Sequence, residues 1–433
     1  MNQRPSALVE ALYRRESLAW GLIGITLGLV EGATAAILVK KGYAGQASPQ
    51  TVNLAVAFIS GAPALSNVFS FLWANLAHGR ARVQLMVRLL AGFAGVVGLL
   101  GLAPSGGGGL ALVVMGVIIA RVLWAGILTV RSSVWTANYP RHMLAKITGR
   151  LVVISSLGMV AIALIAGAVL QLAPSLTRWL YLLAALCGAV AAWSYRRSRV
   201  RRQYQLLAAE IAAVGDDGVF SLGILRRILR EDPQYRRFMF WMGLYGAGNL
   251  MANAQLVIVF ADHLHLASTT QIAILSILPM LLVPFFTPVW ARLFDGGHVI
   301  EYRARQCWVL IASMICMTLG TFTESIAMLW LGSFLMGIAT AGANLGWNLG
   351  HSDFASPGKM QQYMGINVTL TGLRGLTAPP AGVLAYELLE SIKPGAGRWS
   401  LLLPVCLTLA GGLGFNHMKG SREGRDTTIK ADR

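Results

Sequence analysis

Three ionisable side chains interrupt long apolar runs of this chain: Glu31, Arg121 and Arg374. Charge is costly in a hydrocarbon environment, so each is a candidate for function. Glu31 and Arg121 lie about eight and eleven residues from the same end of their runs, which at 1.5 Å per residue puts both roughly 12–17 Å deep. Opposite charges at similar depth suggest an ion pair. A carboxylate beside an arginine stays ionised and gains a proton more readily once the pair opens. The pair reads either as a proton switch or as a fixed bridge between helices. The switch is favoured, because buried pairs stabilise poorly compared with apolar packing.

Arg374 sits in Thr369-Leu370-Thr371-Gly372-Leu373-Arg374-Gly375-Leu376-Thr377-Ala378-Pro379-Pro380. No acid occupies the middle of a run in the second half of the chain. Arg374 therefore needs Glu31, backbone carbonyls freed by the two prolines, or an anionic substrate. A guanidinium suits carboxylate or phosphate, so an anionic or zwitterionic solute is favoured. Asn249 and Asn253 share one helix face, as do Asn344 and Asn348, because each pair is spaced i,i+4. Both pairs read equally as solute ligands or as interhelical hydrogen-bonding groups. Gly24, Gly28 and Gly32, and likewise Gly342, Gly346 and Gly350, recur every four residues and read as close helix packing. Trp124, Tyr245 and Trp347 read as packing aromatics before substrate-stacking ones.

The elements that position these residues follow from composition. Over 433 residues, 55 % are apolar and only 12 % charged, about half the roughly 25 % of a soluble domain. So few charges exclude a soluble enzyme, and so much hydrophobicity excludes a disordered chain. A spanning helix needs about 20 apolar residues. Twelve runs qualify, roughly 17–39, 51–76, 84–103, 110–134, 150–172, 178–194, 238–261, 269–291, 304–322, 326–350, 362–389 and 399–416, with ends good to a few residues. The first exceeds a signal-peptide core and reads as an uncleaved span. The expected class is an all-α integral membrane protein with twelve transmembrane helices in two six-helix repeats.

The net charge of +18 then acquires a place. With a cytoplasmic N-terminus, 29 of the 36 basic residues, including Arg292, Arg303 and Arg305, fall on the cytoplasmic side. That asymmetry specifies orientation by the positive-inside rule and puts both termini in the cytoplasm, in an inner or plasma membrane. A DNA-binding role is excluded, because the positive charge alternates with the spans. The organisation expected is a bundle at 1–194, a cytoplasmic linker at 195–237, a second bundle at 238–416 and a tail at 417–433. In the linker, Phe220, Ile224, Leu225 and Ile228 alternate with Arg226, Arg227 and Arg230 at helical spacing. Such a helix lies on an anionic leaflet, or is a solvated linker with a basic face.

The halves repeat. Phe69-Ser70-Phe71-Leu72-Trp73-Ala74-Asn75-Leu76-Ala77-His78-Gly79 matches Phe286-Thr287-Pro288-Val289-Trp290-Ala291-Arg292-Leu293-Phe294-Asp295-Gly296 at a constant offset of 217. A fainter echo pairs Asn138-Tyr139 with Asp353-Phe354. Two parallel six-helix repeats describe a known transporter architecture.

On these residues the chain resembles the major facilitator superfamily over essentially its whole length. Asn75-Leu76-Ala77-His78-Gly79-Arg80-Ala81-Arg82 is similar to that family's loop between its second and third helices, with His78 standing where the family carries Asp. The weaker second copy, Arg292-Leu293-Phe294-Asp295, keeps the acid. The resemblance implies a cytoplasmic gate at His78, Arg82 and Asp295, and a central cavity lined by the first, fourth, seventh and tenth helices. Glu31, Arg121 and the asparagine pairs then border that cavity. Arg121 resembles the family's helix-four arginine motif, although Gly126 follows one residue late. The proline of the drug-antiporter motif is missing between Gly158 and Gly167.

The function expected is transport of a small polar or anionic solute by alternating access, with protons as an optional coupling ion. The alternatives are a non-transporting binding or assembly factor on the same scaffold, and a drug or metabolite exporter. No HExxH, GxxxxGK[ST] or GxSxG motif occurs, so neither an enzyme nor a built-in ATPase is expected. Cys187, Cys307, Cys316 and Cys406 are isolated and form no metal spacing. No cofactor and no metal are expected. The partners expected are a small-molecule substrate, the lipid bilayer and protons, with no nucleic acid, and the protein is expected as a monomer.

Overall fold

A computed structural model describes residues 7–139, 141–198, 203, 205, 207, 222–356 and 359–431. Helices and short connections make up these residues, with no strand among them. In chain order the helices are α1 (Ala7–Gly28), α2 (Gly32–Gly42), α3 (Pro49–Leu65), α4 (Ser70–Ala77), α5 (Arg82–Leu100), α6 (Gly107–Asn138), α7 (Arg141–Leu172) and α8 (Thr177–Tyr195). They continue with α9 (Leu222–Glu231), α10 (Pro233–Asp262), α11 (Ser268–Ile272), α12 (Leu278–Asp295), α13 (Val299–Phe322), α14 (Ile326–Leu349), α15 (Met360–Ile392) and α16 (Leu402–Ala431). Among the described residues ten helices are long and apolar enough to cross a membrane, or eleven with the bent pair α1–α2 counted as one. The eleventh expected span, α15, has 33 residues but falls short in apolarity. Asn367, Arg374, Pro379 and Pro380 dilute it.

The first expected run, 17–39, is not one helix. It breaks after Gly28 and bends by 42° before α2, with Glu31 as the extended N-cap of the second piece. Glycine weakens a helix interior, and here it also allows close contact. A Cβ on Gly28 would meet Ile162 at 2.4 Å, and one on Gly24 would meet the Ser155 carbonyl oxygen at 2.1 Å. These glycines let α1 lie against α7. The eighth span is likewise interrupted: a π-helical turn at Ala273–Ile277 precedes Pro279, and Pro284 and Pro288 follow inside α12. Proline lacks the N–H that continues the helical ladder. Helix α10 starts cleanly, because the Asp232 side chain accepts from Tyr235 N at 2.8 Å and Pro233 occupies the first turn.

Contacts group the chain into two compact units, Met1–Ala55 with Ser66–Val219, and Val56–Leu65 with Phe220–Arg433. Much of the expected linker, including Asp216 and Asp217, lies outside the described residues. Its amphipathic part forms α9, with Ile228 buried and Arg226, Arg227 and Arg230 exposed. The apolar face thus turns toward protein. The last helix continues beyond residue 416, through the segment read as a tail.

The repeat has a packing basis. In the first unit the Trp73 indole donates to the Val122 carbonyl at 2.9 Å, and a Cβ on Gly126 would lie 2.8 Å from that ring. In the second unit Trp290 donates to the Ile338 carbonyl at 2.8 Å, and a Cβ on Gly342 would lie 2.9 Å from its ring. The same seat is built twice: an indole laid on a glycine, anchored to a carbonyl one turn earlier.

Candidate functional site

The first unit brings Glu31 and Arg121 together. Arg121 Nη1 donates to Glu31 Oε2 at 2.6 Å, with side-chain exposures of 9 % and 27 % respectively. The break between α1 and α2 makes this possible. It turns the Glu31 backbone extended (φ −78°, ψ 133°) and lets a short side chain reach α6. Discontinuous helices of this kind are where transporter folds place polar chemistry within a membrane. Arg121 Nε has no partner among the described residues. Trp124, one turn on, packs edge-to-face on Trp20 and against Phe93.

Arg374 is placed wholly within the second unit, on α15. Its guanidinium donates to the Met242 carbonyl on α10, to its own Leu370 carbonyl at 3.2 Å and to Thr371 Oγ1 at 2.6 Å. Among the described residues no carboxylate pairs with it. Carbonyls of Leu370 and Met242 satisfy it, not those freed by Pro379 and Pro380 that the sequence suggests. A helical side chain leans toward the N-terminus of its own helix. The prolines lie on the other side of Arg374, out of its reach.

The seat for this guanidinium is Gly246, where a Cβ would lie 2.0 Å from Arg374 Nη1. Gly246→Val is therefore expected to cost about 1–3 kcal/mol in chemical unfolding, the range for overpacking. Adding Arg374→Ala to it should recover much of that loss. Additive losses in the double variant would show that the two groups do not compete for space.

Around Arg374 runs a polar seam. Thr371 Oγ1 donates to the Asn367 carbonyl at 2.7 Å, Asn367 Nδ2 donates to the Trp347 carbonyl at 3.2 Å, and the Trp347 indole donates to Thr371 Oγ1 at 3.4 Å. Asn249, one turn beyond Gly246, is half-buried and its Oδ1 has no donor among the described residues. Asn253 is half-buried. Asn344 and Asn348 are exposed on one face of α14, and Asn348 Nδ2 donates back to the Asn344 carbonyl at 2.7 Å. The seam thus joins Arg374 to Trp347 through Asn367 and Thr371, two residues that sequence reading had not singled out as ligands.

His78 is exposed just past α4, Arg82 opens α5 half-buried, and Asp295 is exposed at the end of α12. The acid bound to the start of α13 is Asp353, whose Oδ2 accepts from Val299 N at 2.6 Å. A carboxylate there meets both an orphan N–H and the positive end of the helix dipole.

The sequence marks only Arg121 and Arg374 as buried cations; Glu16, Lys40 and Arg303 are buried as well. Glu16 is 1 % exposed and accepts from Tyr139 Oη at 2.8 Å and Tyr195 Oη at 3.1 Å. Nearby in the chain, Arg131 stacks on Trp20 and Trp135. Arg303, taken above for a surface cation, is 0 % exposed. It donates to Gln306 Oε1 at 3.0 Å and to the Ala343 carbonyl at 3.4 Å. Its position near a run end suggested solvent, but α14 covers it. A Cβ on Gly346 would lie 2.7 Å from the guanidinium carbon, and one on Gly342 would lie 2.9 Å from Gln306 Cγ. The four-residue glycine spacing in α14 was the signal for these slots.

Comparison with known proteins places this geometry. A family model described as Major Facilitator Superfamily matches residues 17–379. Similar solved structures include a mutant of the nucleoside transporter NupG, at 11 % identity, covering 94 % of this chain and 99 % of that one with a TM-score of 0.74. A D-xylose–proton symporter is 11 % identical, covering 94 % and 97 % at a TM-score of 0.68. The human organic anion transporter MFSD10 is 16 % identical, covering 95 % and 100 % at 0.57. No curated protein matches the chain by sequence.

Proposed function

The chain belongs to the Major Facilitator Superfamily, a family of membrane transporters, and on that premise we propose that it moves a small anionic solute by alternating access. The observation that carries this reading is Arg374, whose donors meet only neutral acceptors among the described residues. A half-buried cation without a counter-ion still carries a desolvation cost, and an incoming carboxylate or phosphate offsets it. Asn249 Oδ1, an orphaned acceptor one turn along α10, offers a point of recognition for a hydroxyl or amide on the same solute. The MFSD10 neighbour, named an organic anion transporter, is compatible with this charge preference.

Glu31 and Arg121 form the coupling element of this proposal. Their 2.6 Å pair opens in one state of the cycle, and Glu31 then exchanges a proton. The basic residues put both termini on the cytoplasmic side of an inner or plasma membrane. Residues 1–194 and 238–416 act as the two six-helix bundles, and the protein works as a monomer. Exposed His78 and Asp295, with half-buried Arg82, serve the cytoplasmic gate.

Purified protein in proteoliposomes tests the reading. Anionic solutes are expected to drive counterflow, and Arg374→Ala to reduce it at least tenfold, as loss of a charged hydrogen bond predicts. Counterflow with neutral sugars but no anion would sink the anionic assignment. Specific binding without any flux would sink transport itself and favour a binding scaffold.

A further inference from the structure

We infer that the solute is a compact dianion, carrying two carboxylates or one phosphate, and that Arg303 sets this charge preference. The inference rests on the reading that Arg374 binds an anion. It starts from a second cation that this reading leaves unexplained.

Arg303 is fully buried on α13. A guanidinium has five N–H donors. Those of Arg303 make two hydrogen bonds, to the Gln306 side chain and the Ala343 carbonyl, and its Nε has no partner among the described residues. Both acceptors are neutral, and among the described residues no carboxylate pairs with Arg303. Arg374, on α15 of the same unit, likewise donates only to neutral acceptors. The second unit therefore holds two guanidiniums that no carboxylate among the described residues neutralises. Each such ion costs several kcal/mol to desolvate. A monoanion offsets one of these charges, and a dianion offsets both.

The two cations are also joined structurally. Gln306 Oε1 accepts from Arg303 Nη1 at 3.0 Å and lies 3.3 Å from Tyr245 Oη. Gln306 Nε2 is held by the Ala339 carbonyl at 3.0 Å. Tyr245 immediately precedes Gly246, which gives the Arg374 guanidinium its seat. Arg303, Gln306 and Tyr245 thus form a line that ends beside Arg374. Arg303 is too buried to touch the solute, so it acts through its field, which is strong where water is excluded.

The test compares succinate with its monoamide, succinamate, and inorganic phosphate with methanesulfonate. The binding of each to the purified full-length protein is measured by calorimetry. Wild type is expected to prefer each dianion at pH 8 by about tenfold or more, the scale of one added close charge. Arg303→Met is expected to bring that preference to near unity, weakening succinate more than succinamate, and Arg303→Lys to keep the preference. An unchanged preference in a folded Arg303→Met protein would overturn the role of Arg303. Where Arg303→Met does not fold, the wild-type comparison decides: equal affinity for succinate and succinamate, and for phosphate and methanesulfonate, overturns the dianion. A preference in only one pair supports the dianion and tells carboxylate from phosphate. Monoanion binding without charge preference refutes this inference alone, whereas binding of neutral solutes only refutes the anionic reading beneath it.

Discussion

A Glu31→Ala protein is expected to unfold about 3 kcal/mol more easily than wild type, because it leaves Arg121 buried and unpaired. The lower end of the range for buried pairs applies, since a quarter of the Glu31 side chain reaches solvent. Glu31→Gln keeps an acceptor for Arg121 and should cost less. Removing both charges, as Glu31→Gln with Arg121→Met, should restore most of the stability, because replacing a buried pair by apolar packing is often neutral. Denaturant titration of the four proteins in detergent gives the cycle. A loss below about 1 kcal/mol in Glu31→Ala would mean that the pair behaves like an exposed one. The functional arm is separate. Glu31→Gln is expected to abolish the response of transport to an imposed pH gradient, and unchanged pH dependence would rule out the coupling role.

The second large effect concerns the scaffold. Trp290→Ala is expected to cost about 3 kcal/mol in the same titration, the low end for a buried tryptophan. The low end applies because apolar packing within a membrane lacks the hydrophobic driving force present in water. Trp290 is 7 % exposed, stacks edge-to-face on Tyr302 and donates to the Ile338 carbonyl. Its truncation leaves a cavity against Gly342 that the backbone cannot easily close. Trp73→Ala, at the matching position, should cost less, since Trp73 is half-exposed. A Trp290→Ala loss under about 1 kcal/mol would mean that the repeated seat is not structural.

The duplication extends to the scaffold but not to the charges. Trp73 and Trp290 occupy equivalent seats on Gly126 and Gly342, and Tyr139 and Phe354 both pack beyond the fourth helix of their halves. Tyr139 reaches Glu16, while Phe354 lies on Tyr235 and Phe238. The buried ions have no such counterparts. Glu31 and Arg121 belong to one unit, and Arg303 and Arg374 to the other. A transporter built from two similar halves can thus divide its work: one unit carries an acid–base pair, and the other carries uncompensated positive charge.

Composition and periodicity by themselves determined that this chain spans a membrane, that it is built twice, and which residues in the middle of its apolar runs carry charge. Those properties are local. An apolar run declares itself within about 20 residues, and a repeat declares itself by simple offset. The pairing of Glu31 with Arg121 was also within reach, because both lie far from any run end at similar depth. The tertiary structure alone decided the rest. It broke the first run at Glu31, left Arg374 with carbonyls in place of an acid, and hid Arg303 and Glu16 at the edges of apolar runs where solvent was expected. Burial at the edge of a run depends on what a distant segment lays across it. For Arg303 that segment is α14, with Gly346 opening the slot, and for Glu16 it is the two tyrosines that follow α6 and end α8. Such coverage is a property of packing between residues far apart in the chain, and no single stretch of sequence contains it.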